Sequence, residues 1–247
     1  MPRTRLDKLV LERGLASTRE KAQALILAGQ IHVNGQPATK AGSLVAAEAR
    51  VELIGEPPRY VSRGGLKLEG ALRDFSLDVH GKVCLDIGAS TGGFTDCLLQ
   101  HGAARVYAVD VGKGQLDWKL RQDARVQVRE GLNARYLKPE DIGESVELVT
   151  IDVAFISVEK ILPAAIRCAK PGATFLILVK PQFELSRREV GKGGIVRDPA
   201  LHQKAVERIR RAAAALGLEE IAVHESCLPG AEGNREFFLR AVLRAAV

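Results

Sequence analysis

The residues from Val83 to Thr95, Val-Cys-Leu-Asp-Ile-Gly-Ala-Ser-Thr-Gly-Gly-Phe-Thr, have the types and spacing of a loop that holds a nucleotide. Val83 to Ile87 is short, apolar and β-branched, as a buried strand is. Gly88 permits a sharp exit, and Gly92 and Gly93 let backbone come close to a ligand before a helix begins. The spacing is not the G-x-G-x-x-G of a dinucleotide loop, because Ala89 follows Gly88. A phosphate-binding lysine is also missing, since Phe94 and Thr95 follow Gly93. What remains is an acidic residue on a strand, Asp86, then a glycine turn, then a second apolar strand, Val106 to Val109, ending in Asp110. That layout fits S-adenosylmethionine. Asp86 and the turn (Gly88, Ala89, Ser90, Thr91, Gly92, Gly93 and Phe94) are expected at its amino-acid end, and Asp110 is expected to accept hydrogen bonds from its ribose hydroxyls.

Other strands also end in ionisable residues. Glu147 to Ile151 reads as a buried strand ending at Asp152, Thr174 to Val179 ends at Lys180-Pro181, and Glu236 opens the apolar stretch Phe237 to Val242. Ligands collect at the carboxyl ends of parallel strands, so Asp152 and Lys180 are expected in the methyl donor's crevice. Glu236 joins them if its strand runs antiparallel. The helix beginning Tyr60-Val61-Ser62-Arg63-Gly64-Gly65-Leu66-Lys67-Leu68 carries a lysine, and spacing alone leaves open whether Lys67 reaches the others.

These residues need a sheet to hold them, and 247 residues suffice for one α/β domain of ordinary size plus a small appended module. A formal charge of +6 points to a polyanionic partner, nucleic acid being the natural one. No stretch approaches the roughly 18–20 apolar residues of a membrane span, and Met-Pro-Arg-Thr-Arg-Leu-Asp lacks a signal peptide's apolar core, so a cytoplasmic protein is expected. Cys84, Cys97, Cys168 and Cys227 form no C-x-x-C pair and read as reduced core thiols. The scattered histidines show no ligand spacing, and no metal is expected.

Residues 1–58 read as a separate small α+β unit, and 59–247 as the main domain. Leu6, Leu9, Val10 and Leu11 form a helical apolar stripe, Ser17-Thr18-Arg19-Glu20 reads as a capping box opening a second helix through Leu27, and Ile31-His32-Val33 alternates before the Asn34-Gly35 turn. Val51 to Ile54 is a further strand, and Glu56-Pro57-Pro58 a linker. Arg3, Arg5, Lys8, Arg13, Arg19 and Lys21 lie off the apolar stripe and are expected to be free for phosphates.

This segment resembles the RNA-binding domain named after ribosomal protein S-four, through Arg5-Leu6-Asp7-Lys8-Leu9, the Ser17 to Ile26 helix and Gly29-Gln30-Ile31-His32-Val33-Asn34-Gly35. In the main domain, Lys67, Asp152, Lys180 and Glu236 resemble the Lys-Asp-Lys-Glu tetrad of the FtsJ-like ribose 2′-O-methyltransferases. Nearly the whole chain is similar to the TlyA (hemolysin A) family. The similarity runs through Val61 to Leu68, Asp86 to Thr95, Asp110-Val111-Gly112, Val179-Lys180-Pro181-Gln182-Phe183-Glu184, Gly191 to Asp198 and Gly233-Asn234-Arg235-Glu236.

The resemblance implies a Rossmann-like domain with a doubly wound, mostly parallel sheet. It also implies methylation of a cytidine 2′-hydroxyl in ribosomal RNA by S-adenosylmethionine. The brief termini resemble a shorter branch associated with 23S rRNA, 16S being the second substrate of the longer one. By the same resemblance, Asn133 lines the adenine side of the donor pocket, Val111 joins it, and Arg63 joins the RNA contacts. Ala154 stands where serine is expected and Phe238 where leucine is commoner, neither expected to touch the tetrad.

The implied mechanism is in-line methyl transfer. A lysine with an ordinary pKa near 10.4 is almost wholly protonated at neutral pH, so Lys180 deprotonates the hydroxyl only if its ammonium is disfavoured. Lys67 close by would supply that repulsion, with Asp152 and Glu236 orienting the lysines. The run Gly191 to Gly194 is expected to be a mobile flap. Competing readings are an inactive ribosome-binding factor, a membrane-active hemolysin and a small-molecule methyltransferase.

Overall fold

The computed structural model describes residues 3–16, 18–27, 29–55, 58–230 and 232–244. Ser17 of the expected capping box and Glu56-Pro57 of the expected linker lie outside them. The chain divides into two compact units, Met1–Arg59 and Tyr60–Val247.

In the first unit β1 (Arg3–Arg5) leads directly into α1 (Leu6–Glu12), followed by α2 (Arg19–Leu27), β2 (Ile31–Val33), β3 (Gln36–Pro37), β4 (Leu44–Ala46) and β5 (Val51–Leu53). Thr18 caps α2, its hydroxyl accepting from the Lys21 amide at 3.2 Å. The Asn34-Gly35 turn joins β2 to β3, with both turn residues at positive φ as a tight hairpin requires. The pairing of β1 with β4 is invisible in the sequence, because three polar residues carry no alternation. Leu6, Leu9, Val10, Ala22, Leu25, Ile26 and Ile31 make the small core.

The second unit opens with α3 (Arg63–Asp74). The series β6 (Val83–Ile87), α4 (Gly93–Gln100), β7 (Arg105–Asp110), α5 (Trp118–Arg121) and β8 (Val126–Glu130) follows. Then come α6 (Pro139–Ile142), β9 (Val146–Ile151), α7 (Leu162–Arg167), β10 (Ala169–Val179), α8 (Pro181–Glu184), α9 (Pro199–Ala215), β11 (Leu218–Glu225) and β12 (Phe237–Leu243). One seven-stranded sheet has the order β11-β12-β10-β9-β6-β7-β8. From β8 to β10 neighbours are parallel, and β12 and β11 add antiparallel. The expected doubly wound, mostly parallel architecture is present.

Both sheet faces are buried, and the alternation of side chains along each strand sorts the core. Leu85, Ile87, Val149, Ile151, Phe175 and Ile177 pack on one side with α7 and α9 residues, whereas Cys84, Val106, Leu148, Leu176 and Leu178 pack on the other with α3 and α4. Asp86 lies between Leu85 and Ile87 and therefore points toward α4.

Cys84, Cys97 and Cys168 are buried as expected. Burial pushes the Cys84 thiol up to about 12 and the Cys168 thiol up to about 11, which suppresses thiolate reactivity. Cys227 departs from the expectation. It is exposed in the β11–β12 connection, lies against α3 beside Gly70, and donates to the Leu66 carbonyl at 3.4 Å. No described helix is long and apolar enough to cross a membrane.

Candidate active site

The chain winds outward from β6 in both directions, through β7 and β8 on one side and β9 and β10 on the other, so a crevice opens beyond the ends of β6 and β9. Gly88 leaves β6 there with φ +85°, and a Cβ on it would overlap the Asp152 carbonyl oxygen, so only glycine lets the two strand ends meet. Ile151 pairs with Ile177 of β10, and Val179 of β10 lies opposite Phe237 of β12. Because β12 is antiparallel, the residue before it, Glu236, falls at the end of the sheet where Lys180 leaves β10. Lys67 arrives from α3, whose start touches that of α4. A Cβ on Gly93 would approach the Gly65 nitrogen to 2.9 Å.

The four ionisable groups form two covered ion pairs. Lys67 Nζ donates to Glu236 Oε2 at 2.5 Å, with both side chains buried. Lys180 Nζ pairs with Asp152 Oδ1. Lys67 and Asp152 line the same cavity of about 190 Å³, together with Ser62, Arg63 and the glycine turn. The contacts put Asp152 and Glu236 where they can orient the two lysines. Each lysine has a carboxylate of its own beside it, because β12 delivers Glu236 to Lys67 while Asp152 meets Lys180.

A second cavity of about 480 Å³ shares Gly88, Ser90 and Asp152 with the first and is lined by Asp110, Val111, Asn133 and apolar side chains such as Val109, Leu132 and Ile156. Asp110 is fixed at its edge by two backbone donors, Ser90 N at 2.8 Å and Gly112 N at 2.7 Å, one on each carboxylate oxygen. Each oxygen keeps a second lone pair for a ligand. Asn133 caps the short 3-10 turn after β8, accepting from the Arg135 amide at 3.1 Å, and lines the cavity at the same time. Ala89, Thr91, Gly93 and Phe94 line the smaller cavity. Gly92 lines neither and serves the left-handed turn into α4 at φ +97°.

Asp86 does not reach either cavity. Its carboxylate is fully buried and accepts from Thr95 Oγ1 at 2.7 Å and Thr150 Oγ1 at 3.0 Å, tying the start of α4 to β9. Burial pushes its carboxyl up to about 6, the two hydroxyls opposing that rise and the Asp152 charge adding to it. Ala154 lines the larger cavity, and Phe238 stacks on Phe94 with centroids 6.0 Å apart. Ala154 thus borders the larger cavity directly, and Phe238 backs Phe94 of the smaller one.

The glycine run expected to be a mobile flap has specific hydrogen-bonded partners in the conformation seen. Gly193 and Gly194 have positive φ, and the buried Asn234 accepts from Val196 N at 2.9 Å and donates to Gly194 O at 3.0 Å. His202 Nε2 lies 2.8 Å from Val196 O. These glycines serve the backbone path of a loop fastened to the Asn234-Arg235-Glu236 turn. Arg63 lines the smaller cavity and donates to the Pro229 carbonyl at 3.3 Å. In the first unit, Arg5 and Arg19 are not free as expected, because both bind the buried Asp7. Lys8 pairs with Glu12 at 3.6 Å, and Arg13 donates to Ala47 O at 2.7 Å. Arg3 is exposed on β1, and Lys21 lies in the first turn of α2.

Two side chains were missed. Phe155 is 91 % exposed, holds φ +64° and lines the larger cavity with its ring 5.3 Å from that of Phe183. A non-glycine residue in a left-handed backbone conformation costs on the order of 1–3 kcal/mol, and the exposed ring recovers little of it by burial. Glu184, buried at the end of α8, accepts from Ser157 Oγ at 2.5 Å and Val158 N at 2.9 Å, fastening the loop that carries Asp152 and Phe155. The sequence signal was present as a phenylalanine three residues after Asp152, outside any apolar alternation.

The description FtsJ-like methyltransferase matches residues 60–242, and S4 domain matches residues 4–51. The chain is 50% identical over 236 residues to "Putative rRNA methyltransferase YqxC" of Bacillus subtilis, covering 95% of this chain and 84% of that protein. It is 48% identical over 238 residues to "16S/23S rRNA (cytidine-2'-O)-methyltransferase TlyA" of Mycobacterium tuberculosis, covering 96% and 89%. The solved structure "Putative hemolysin from Streptococcus thermophilus" superposes with a TM-score of 0.78 at 44% identity, over 99% of this chain and 90% of that one. The similarity spans the glycine turn, both ion pairs and the N-terminal unit, and the chain belongs to the FtsJ-like methyltransferase family, in its TlyA branch, with an S4 domain ahead of the enzyme domain.

Proposed function

We propose that this chain methylates the 2′-hydroxyl of a cytidine in ribosomal RNA, with 23S rRNA as principal substrate, using S-adenosylmethionine. The observation that carries the reading is the pair of lysine–carboxylate contacts, Lys180 with Asp152 and Lys67 with Glu236, of which Asp152 and Lys67 line the cavity formed with Gly88 and the glycine turn. The residues present fit the donor: Asp110 offers acceptors to a ribose diol, Asn133 and the apolar wall suit an adenine, and the residues from Gly88 to Phe94 suit an amino-acid end. When bound, S-adenosylmethionine supplies an electrophilic methyl on a sulfonium, whose positive charge disfavours a second cation nearby.

Lys180 is the group assigned to hold the 2′-hydroxyl, with Asp152 keeping Nζ in place; it accepts the hydroxyl proton only from its neutral form, which the donor's sulfonium charge favours and the Asp152 carboxylate opposes. Lys67 lines the cavity and is neutralised by Glu236 behind it, so the site gains orientation without a large net charge. Phe155 offers an exposed flat face beside Asp152 on which an unstacked base can rest. The S4 domain supplies the RNA-facing cations Arg3, Arg5, Lys8, Arg19 and Lys21, and Arg63 adds one at the cavity. Labelled donor incubated with unmodified ribosomal subunits, followed by digestion to nucleosides, tests the reading. Label in 2′-O-methylcytidine is expected, and label only in base-methylated nucleosides overturns it.

A further inference from the structure

Asp7 is the one carboxylate of the N-terminal unit that is fully buried among the described residues, yet it is surrounded by more positive charge than it needs. It lies in the first turn of α1, where a negative charge also suits the helix dipole. Its Oδ1 accepts from Arg5 Nε at 3.0 Å and from Lys8 N at 2.9 Å. Its Oδ2 accepts from Arg5 NH2 at 2.9 Å, Arg19 Nε at 3.0 Å and Gln23 Nε2 at 3.0 Å. One arginine would neutralise it. Two arginines, one from β1 and one from α2, leave a local excess of one positive charge, and their side chains are 47% and 51% exposed. The Arg5 guanidinium also lies over Gly42, where a Cβ would come within 3.4 Å of NH1 and NH2.

We propose that Asp7 is a positioning residue for RNA recognition: it holds Arg5 and Arg19 as one oriented fork whose remaining N–H groups bind a backbone phosphate. The inference rests on the reading of this unit as RNA-binding. Each guanidinium carries five donors, and Asp7 takes two of Arg5's nitrogens and one of Arg19's, so both retain donors at the surface. Held guanidinium groups bind phosphate better than loose ones because their rotamer freedom is already lost. The Arg5 contact holds the Asp7 carboxyl far below the usual range, so the fork stays assembled at every pH at which ribosomes are intact.

The test rests on opposite signs. Asp7→Asn deletes a negative charge, so a surface acting only through its net charge would bind RNA more tightly, whereas a held fork would bind on the order of tenfold more weakly. Arg19→Lys keeps the charge and sits on an exposed side chain, but a lysine cannot both reach Asp7 and present a planar pair of donors. Binding of the full-length wild type, Asp7→Asn and Arg19→Lys to purified unmodified large ribosomal subunits is measured over a salt series, with RNA-free melting curves alongside. A tenfold loss in Arg19→Lys at unchanged melting temperature supports the fork, and the same loss in a folded Asp7→Asn strengthens it. Unchanged or tighter binding by Arg19→Lys, or by an Asp7→Asn variant that melts as the wild type does, overturns it. Wild type that fails to bind the subunits at any salt would instead remove the RNA-binding reading beneath it.

Discussion

Replacing Asp86 by asparagine is expected to abolish a pH dependence of stability that the wild-type chain carries. The carboxyl sits in a closed niche between the Thr95 and Thr150 hydroxyls, and burial raises it from 3.8 to about 6. In the unfolded chain it titrates near its ordinary value, so between these two limits the folded state binds the proton more tightly. Stability from this group is therefore fully present below 3.8, is lost as pH rises toward 6, and is flat above. At about 1.4 kcal/mol per pH unit between the limits, ionising the buried carboxyl costs about 3 kcal/mol in total, about half of which develops between pH 5 and 8. Asparagine has the same shape, accepts from one threonine hydroxyl and donates to the other, and does not ionise. Urea unfolding of both proteins at steps from pH 5 to 8 gives the difference in ΔG, in which other titrating groups cancel. The variant should gain about 1.5 kcal/mol on the wild type across that range. A difference that stays constant with pH would refute the argument that burial governs this carboxyl.

Phe155→Gly should relieve the φ +64° backbone, leaving stability equal or up to about 1 kcal/mol higher, while methyl transfer falls by about ten- to a hundredfold through the lost stacking face. Unfolding curves and initial rates on unmodified subunits check the two halves, and unchanged rates would remove Phe155 from the site. Lys67→Met leaves Glu236 buried without its partner and should cost about 3–5 kcal/mol, most of it recovered in Lys67→Met combined with Glu236→Gln. Both variants should lack activity, and a stable, active double variant would show that the pair is only structural. Asp110→Ala strips the acceptors of Ser90 N and Gly112 N as well as those offered to a ribose, and titration calorimetry should show donor affinity at least about tenfold lower. An unchanged affinity would move the ribose elsewhere.

Much of the enzyme domain was legible because its strands are short β-branched runs ending in glycine or a charged residue. Val83 to Ile87 before Gly88 folds as read, and the strand read from Thr174 to Val179 before Lys180 ends as read but begins earlier, at Ala169. Asp110 at the cavity edge was legible for the same reason. Asp86 was misread because motif position was given more weight than side-chain alternation. Its neighbours Leu85 and Ile87 face one core layer, so Asp86 had to face the other. The partner of Lys67 could not be read, since Glu236 lies 169 residues away and meets it only because β12 runs antiparallel. Spacing likewise says nothing of Asp7, whose partners come from β1 and α2, or of Asn234, which closes a glycine run that composition alone makes look loose.

In the proposed reaction the Lys180–Asp152 pair acts on a ribose hydroxyl of ribosomal RNA. Single-turnover transfer of labelled methyl to purified unmodified large and small subunits, by wild type and Lys180→Ala at saturating donor, tests it most directly. The account predicts 2′-O-methylcytidine in large-subunit RNA with wild type and a rate at least about a hundredfold lower in the variant, with donor binding retained. Equal rates in the two proteins, or label confined to nucleobases, would contradict it.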